Sequence, residues 1–142
     1  MKKAIVMIIA LTAMFQVTKA QCGKNVKWTS SHTKFIDSSG NTNHDQDEKV
    51  EITIADNTVT ILPNGNTGDE MTGPVTDYVC KWADKKNGST NFKAVVSDAH
   101  GDVKHMTISI KSDGDKIAIN IALEEMGGMK ALLNGVSFEE IN

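Results

Sequence analysis

Residues 50–62 read VEITIADNTVTIL, and this stretch decides the fold class. Apolar and polar residues alternate from Val50 to Ile54, with the period of two that is typical of a half-buried strand. Residues 55–57 contain Asp and Asn, which favour turns, and the alternation resumes at residues 58–62 before Pro63 ends it. Two alternating runs on either side of a short turn predict a β-hairpin.

The same pattern continues toward the C-terminus, where alternating runs and turn residues follow one another. Asn87-Gly88 is the dipeptide that most favours a tight hairpin turn, and residues 98–102 and 112–115 contain further Asp and Gly. Successive strands joined by tight turns predict an antiparallel meander. Residues 66–74 show no periodicity and are predicted to be a loop. The runs predicted as strands are 78–82, 90–96, 104–111 and 116–123.

The two ends of this region are less regular. Residues 26–36 predict one strand or a bent pair of short strands, and residues 136–140 predict a last strand. Residues 123–133 are compatible with one or two helical turns, although Gly127 and Gly128 disfavour a helix. We therefore predict an all-β domain. It is an antiparallel meander of about eight strands forming a small barrel or sandwich, with a short helical or irregular segment before the last strand.

The N-terminus has the pattern of an export signal. Lys2 and Lys3 precede an apolar run over residues 4–15, and Thr18 and Ala20 occupy the small-residue positions of a cleavage site. We predict a signal peptide at residues 1–20 and a single β-domain at residues 21–142. The apolar run is shorter than the roughly 20 residues that a membrane span needs. We expect an exported protein of bacterial type, periplasmic or secreted, with no membrane span in the mature chain.

The net charge and the lack of arginine disfavour two classes of binding partner. The chain contains no arginine, and from residue 21 onward it has 12 lysines against 18 acidic residues, a net charge of −6. Arginine supplies the planar fork that recognises phosphates and guanine edges. An acidic chain without arginine is therefore not expected to bind nucleic acid or an anionic membrane surface.

Two cysteines remain beyond the predicted signal peptide, Cys22 and Cys80. In an oxidising compartment they are able to form one disulfide, which would close a long loop. The alternative is a buried Cys80 and a free Cys22 close to the new N-terminus. Lipid attachment at Cys22 is disfavoured, because Gln21 stands directly before it and lipoprotein signals require a small residue there.

The predicted meander of about eight strands in an exported chain resembles the calycin group, which contains the lipocalin-like secreted barrels. The resemblance covers the mature chain in strand count and connectivity. It implies a barrel with a lumen that holds a small apolar ligand. The Gly-x-Trp signature of lipocalins is absent, because Gly23 and Trp28 are five positions apart, so no functional residue is carried over from the family.

Several aromatic residues are candidates for lining such a lumen. Pockets for small ligands are mostly apolar and aromatic, which singles out Trp28, Tyr78, Trp82 and Phe92. The alternative is that these side chains pack in the core. A carrier would also need small residues on inward-facing positions, and Ala94, Ala118 and Ala122 are candidates for these.

Two polar clusters are candidates for metal binding. Oxygen-bearing side chains recur between residues 37 and 48, so Asp37, Asn41, Asp45 and Glu48 are candidate calcium ligands. However, Thr42 stands where an EF-hand loop requires glycine. A second cluster contains Asp98, His100, Asp102 and His105, with a spacing that is not diagnostic of a zinc site. The alternative for both clusters is an exposed turn whose side chains cap the backbone.

Motifs for catalysis are absent from the sequence. It has no Gly-x-Ser-x-Gly elbow and no glycine-rich phosphate loop, so we expect no enzymatic activity and no cofactor. Two functions are left as hypotheses. The first is a non-catalytic carrier with a small apolar ligand in a barrel lumen. The second is a domain that recognises a protein or glycan through residues 37–48 and 63–77.

Overall fold

Eleven strands in one sheet make up almost all of the computed structural model, which describes residue 22 and residues 25–141. The predicted signal peptide lies outside the described residues. The strands are β1 (Val26–Ser30), β2 (His32–Ile36), β3 (Thr42–Gln46), β4 (Val50–Ala55), β5 (Thr58–Pro63), β6 (Met71–Trp82), β7 (Gly88–Ser97), β8 (Val103–Asp113), β9 (Lys116–Leu123), β10 (Lys130–Asn134) and β11 (Ser137–Glu140).

All neighbouring strands pair antiparallel, in the order β11-β1-β4-β5-β6-β7-β8-β9-β10-β2-β3. The seven strands from β4 to β10 follow one another in sequence and in space. The predicted all-β antiparallel meander is therefore confirmed. The predicted count of about eight strands is wrong, because β3 and β10 form in segments that lack a clear alternating pattern.

The predicted closed barrel is wrong, because the strand order has two ends, β11 and β3, and the sheet is not closed. The first two strands nevertheless connect distant parts of it. Only Ser31 separates β1 from β2, yet β1 pairs with β4 and β11 whereas β2 pairs with β10 and β3. The predicted bent pair of short strands at residues 26–36 is thus present, and it connects the first and last strands of the meander.

One face of the sheet is buried and forms a single hydrophobic core. Alternate residues of each strand project to this face, as Val50, Ile52 and Ile54 do on β4. Side chains from β1 and from every strand of the meander meet in the same cluster, with Trp28 and Phe92 among its largest members. Burial of each such large apolar side chain contributes roughly 1.5–3 kcal/mol to folding.

Residues 66–74, predicted to be a loop, are mostly structured. A single 3₁₀ turn covers Thr67–Asp69, and β6 begins at Met71. Gly73 and Pro74 suggest a strand end in the sequence, because both residues weaken a sheet interior. Here Gly73 is required by packing, because a Cβ atom at this position would overlap the carbonyl oxygen of Val95 on β7.

The predicted helical segment before the last strand is also shorter than expected. A 3₁₀ turn covers only Glu124–Met126, and Gly127 and Gly128 then adopt φ values of +60° and +87°. This left-handed backbone ends the turn and directs the chain into β10, which pairs with both β9 and β2. The last strand, β11 at Ser137–Glu140, agrees with the strand predicted at residues 136–140.

A disulfide joins Cys22 to Cys80, as the cysteine count suggested. It ties the segment before β1 to the second half of β6, with a Cα–Cα distance of 5.8 Å. Within the described residues, no helix is long and apolar enough to cross a membrane.

Candidate functional site

An apolar cavity of about 120 Å³ opens among β2, β4, β5, β6, β8, β9 and β10. All of the residues that line it are apolar except Thr33 and Glu48. Much of its wall is formed by Phe35, Met71, Met106, Ile121, Leu123 and Ala131.

The register of the sheet explains why a space exists at this place. Ala131 of β10 stands directly opposite Ile121 of β9 on one side and Phe35 of β2 on the other. All three project to the cavity side of the sheet. Because an alanine lies between two large residues, its short side chain leaves part of the space between them unfilled.

Thr33 is the polar residue set deepest in this wall. Its side chain is 2% exposed, and its Oγ1 makes no hydrogen bond with any residue in the described part of the chain. The indole Nε1 of Trp28 is also buried without a partner among the described residues, but Trp28 does not line the cavity. A buried hydroxyl without a partner costs about 1–3 kcal/mol, so the Thr33 hydroxyl lowers the stability of this part of the sheet.

Glu48 is half-buried at the same cavity. Its Oε1 accepts a hydrogen bond of 2.9 Å from Nδ2 of Asn64. Its backbone N–H donates to the carbonyl oxygen of Ser31, two residues before Thr33. Glu48 and Thr33 are thus the two polar residues among those that line the cavity.

A second, more polar pocket of about 210 Å³ adjoins the apolar cavity and shares Pro63 and Met71 with it. Asp98 and Lys104 are in its wall, and Lys104 Nζ lies 3.8 Å from Asp98 Oδ2. The backbone N–H groups of Asp102 and His100 both donate to Asp98, and they lower the pKa of its carboxyl group. Asp98 thus remains ionised and holds the lysine.

The four aromatic residues predicted to bind a ligand lie elsewhere. Trp28 and Phe92 are fully buried in the core, and Trp82 donates from its Nε1 to Thr90 Oγ1 over 2.8 Å. Tyr78 is 37% exposed, with its ring centroid 6.3 Å from that of Phe92. The structure brings Tyr78 and Phe92 together, but none of the four lines the cavity.

The small residues proposed for a lumen are divided between the two faces of the sheet. Ala94 is buried in the core, whereas Ala118 is exposed on the opposite face of β9. The alanine that does line the cavity, Ala131, was not identified in the sequence. In the sequence, only Ala131 and Leu133 show the period of two that is typical of a strand. Two residues are too few to distinguish a strand from a helical turn.

The predicted calcium ligands are spread along the β2–β3 hairpin. Asp37 and Asn41 meet at its turn, where Asp37 Oδ1 accepts 2.9 Å hydrogen bonds from the backbone N–H groups of Ser39 and Asn41. Glu48 lies beyond the other end, beside Ser31. At about 3.3 Å per residue, the six residues from Ser31 to Asp37 place these two carboxylates roughly 20 Å apart.

The second predicted metal cluster is also divided among separate contacts. Asp98 caps the turn that contains His100 and Asp102. His105 instead pairs with Glu125, which raises the pKa of the imidazole. Among residue 22 and residues 25–141, no group of three or more His, Cys, Asp or Glu side chains is arranged to hold a metal ion.

A histidine between two carboxylates is a feature that the sequence did not reveal. His32 Nε2 lies 2.6 Å from Asp45 Oδ1, and its Nδ1 lies 2.9 Å from Asp47 Oδ1. The hydrogen bonds from Asp47 and Asp45 raise the pKa of the His32 imidazole. The three residues are brought together only by the pairing of β2 with β3, which has no sequence motif.

Comparisons of this chain with protein-family models, with curated proteins and with solved structures find no match.

Proposed function

We propose that this protein is an exported, non-catalytic binding protein that carries a small apolar ligand in the apolar cavity beside Ala131. The observation that supports this proposal is a cavity of about 120 Å³ that is lined by apolar residues apart from Thr33 and Glu48. An apolar cavity of roughly 150 Å³ is able to hold benzene. A cavity of this size suits a benzene-sized molecule or the apolar end of a longer one.

The continuity of β1 and β2 supports a sheet that curves around this cavity. The extended run from Val26 to Ile36 pairs with β4 in its first half and with β10 in its second half. The first and last strands of the meander therefore lie against one chain segment. On the concave side of such a curved sheet, the core side chains fill most of the space. The cavity is the part at the open end that they leave unfilled.

The disulfide supports the export part of the proposal. Structural disulfides persist in oxidising compartments such as the bacterial periplasm or the extracellular space, and are rare in the cytosol. The Cys22–Cys80 bridge agrees with removal of residues 1–20, which would leave Cys22 close to the N-terminus of the working chain.

The test is to fill the cavity and measure the binding of benzene. We expect benzene to raise the thermal unfolding midpoint of the wild-type protein, because a ligand that binds only the folded state stabilises it. Ala131→Leu places three more carbon atoms in the cavity and should abolish this shift. Ala118→Leu adds the same atoms on the exposed face and should leave the shift unchanged.

Two results would contradict the proposal. One is a wild-type midpoint that stays constant at saturating benzene. The other is an equal shift in wild type and in folded Ala131→Leu, which would place benzene somewhere other than this cavity.

A further inference from the structure

The face of the sheet opposite the core carries positive charge on a chain that is acidic overall. We propose that the outer face of β6–β10 binds an anionic polysaccharide. Its lysines contact the acidic groups of the polymer, and a row of amide and hydroxyl side chains contacts the sugar hydroxyls. This surface is separate from the apolar cavity, because its residues project away from the core, so it adds a second binding function to the proposed one.

Three lysines of the outer face have no carboxylate beside them. Lys81 on β6 and Lys111 on β8 both stand opposite Ser89, and Lys130 lies on β10. All three are exposed, and none makes an ion pair with a residue in the described part of the chain. Because neighbouring strands are about 4.8 Å apart, the Cα atoms of Lys81 and Lys111 are separated by roughly 10 Å. A polymer with acidic groups along its length is able to contact several of these lysines at once.

The carboxylates of this face lie at its border, and each stands beside a basic residue. The three pairs are Asp77 with Lys93, Asp113 with Lys116, and Glu125 with His105. The unpaired lysines therefore leave the outer face positive, although the chain from residue 21 onward has a net charge of −6. Negative charge on the rest of the molecule repels a polyanion and favours its approach to this face.

A row of uncharged polar side chains crosses the face between the lysines. Asn91 of β7 stands opposite Ser109 of β8, which stands opposite Asn120 of β9. Their side chains make no hydrogen bond with another residue in the described part of the chain. The row lies two residues, about 7 Å, along the strands from Lys111 in one direction and from Lys130 in the other. Amides and hydroxyls both donate and accept hydrogen bonds, so this row is matched to the hydroxyl groups of a sugar chain.

The residue types of the face favour a polysaccharide over a nucleic acid. Proteins that bind single-stranded nucleic acid stack the bases on aromatic side chains, and none of the outward-facing residues of β7–β10 is Phe, Tyr or Trp. Arginine, which recognises phosphate with two parallel hydrogen bonds, is absent from the chain. Lysines around an uncharged polar row suit a polymer that carries both acidic groups and hydroxyls.

The test measures binding of the purified protein to two anionic polysaccharides, polygalacturonate with carboxylates and dextran sulfate with sulfates. Neutral dextran is the reference, and a single-stranded DNA oligonucleotide is the competing polyanion. We expect one or both anionic polysaccharides to bind, with an affinity that falls as the salt concentration rises. Dextran should not bind, and DNA should bind at least about tenfold more weakly than the better polysaccharide. Binding of neither anionic polysaccharide, or equally tight binding of DNA, would overturn the proposal.

A charge-matched pair of variants locates the site. Lys81→Gln/Lys111→Gln/Lys130→Gln should weaken binding at least about tenfold, because each exposed ion pair contributes a factor of roughly two to five. The control removes three lysines that lie off this face and are paired with carboxylates, in Lys27→Gln/Lys49→Gln/Lys104→Gln. It should bind within about twofold of the wild type. Equal losses in the two variants would show that only the net charge matters, and would refute this site.

The polar row has its own variant, which leaves the charge unchanged. Asn91→Ala/Asn120→Ala removes two amides that could bond sugar hydroxyls and should weaken polysaccharide binding severalfold. Benzene binding in the cavity should be the same in all these variants as in the wild type, since none of the substituted residues lines it. Undiminished polysaccharide binding in Asn91→Ala/Asn120→Ala would contradict the role given to the row.

Discussion

At the scale of single residues, Thr33 and Thr90 are a natural pair for comparison. Both are buried in the sheet, at 2% and 0% exposure. The hydroxyl of Thr90 accepts a hydrogen bond from Trp82 Nε1 and lies 3.4 Å from the sulfur of Cys80. That of Thr33 has no partner in the described part of the chain. The two residues therefore differ in hydrogen bonding while sharing burial and shape.

This difference predicts opposite effects of the same substitution. Thr90→Val should lower the free energy of unfolding by about 1–3 kcal/mol, because it leaves the buried indole N–H of Trp82 unpaired. Thr33→Val removes an unpaired hydroxyl and should leave the ligand-free protein as stable as before or more stable. Urea denaturation of both variants measures these changes. Equal losses would show that the Thr33 hydroxyl has a partner after all.

At the scale of elements, β3 depends on charge more than on packing. Its residues are exposed apart from the half-buried His44, and its hydrophobic contact with β2 is the edge-on stacking of Phe35 with His44 at 5.5 Å. His32 supplies an electrostatic link from β2 to Asp45 on β3 and to Asp47 just beyond it. A second charged group of β2, Lys34 Nζ, lies 3.9 Å from the Asp45 carboxylate.

The stability of β3 should therefore depend on pH. The pKa of His32 is raised above 6.5 by Asp47 and Asp45, so the stabilisation is complete below pH 6.5 and is lost as the pH rises through the raised value. We expect the hydrogen-exchange protection factors of the β3 amides to fall across this range. His32→Gln should remove the pH dependence.

A matched control for this prediction is His105→Gln. His105 also has a raised pKa, through Glu125, but it lies on β8 and is remote from β3 in the strand order. Substitution of His105 should leave the pH dependence of β3 unchanged. Protection of β3 that stays constant with pH in the wild type would contradict the role given to His32.

The elements also show how far the sequence determines this fold. The β4–β5 hairpin and the meander from β7 to β9 were predictable, because each strand alternates over five or more residues and each turn contains Gly, Asn or Asp. β3 was not predictable, because its exposed polar residues lack a buried face and are placed by pairing with β2. β10 follows a double glycine and alternates too briefly to be distinguished from a helical turn.

The candidate site was less predictable than the fold. Its apolar wall is formed by residues of seven strands that the register brings together, and its volume depends on one alanine between Ile121 and Phe35. The large aromatics that the sequence offered as ligand-binding residues instead fill the core or, as with Tyr78, lie partly exposed. Their size favours close packing, whereas a cavity needs small residues among larger ones.

At the scale of the whole molecule, the disulfide closes a covalent loop between residues 58 positions apart, from Cys22 to β6. In the chain-entropy description, a loop of this length stabilises the folded state by about 4 kcal/mol. The double variant Cys22→Ser/Cys80→Ser should lose stability of this order in urea denaturation. Wild-type protein treated with a reductant should match the variant. A loss below about 1 kcal/mol would show that the unfolded chain is hardly restricted by the bridge.

The run of β1, Ser31 and β2 has a consequence for the order in which the protein is able to fold. β1, the first strand to be synthesised, pairs with β11, the last, in the register of Val26 with Glu140. β2 likewise cannot form its pairing with β10 until β10 has been synthesised. Such pairings between distant parts of a chain form slowly, because a long loop must close first. Synthesis from the N-terminus thus cannot complete this sheet until β10 and β11 have been made.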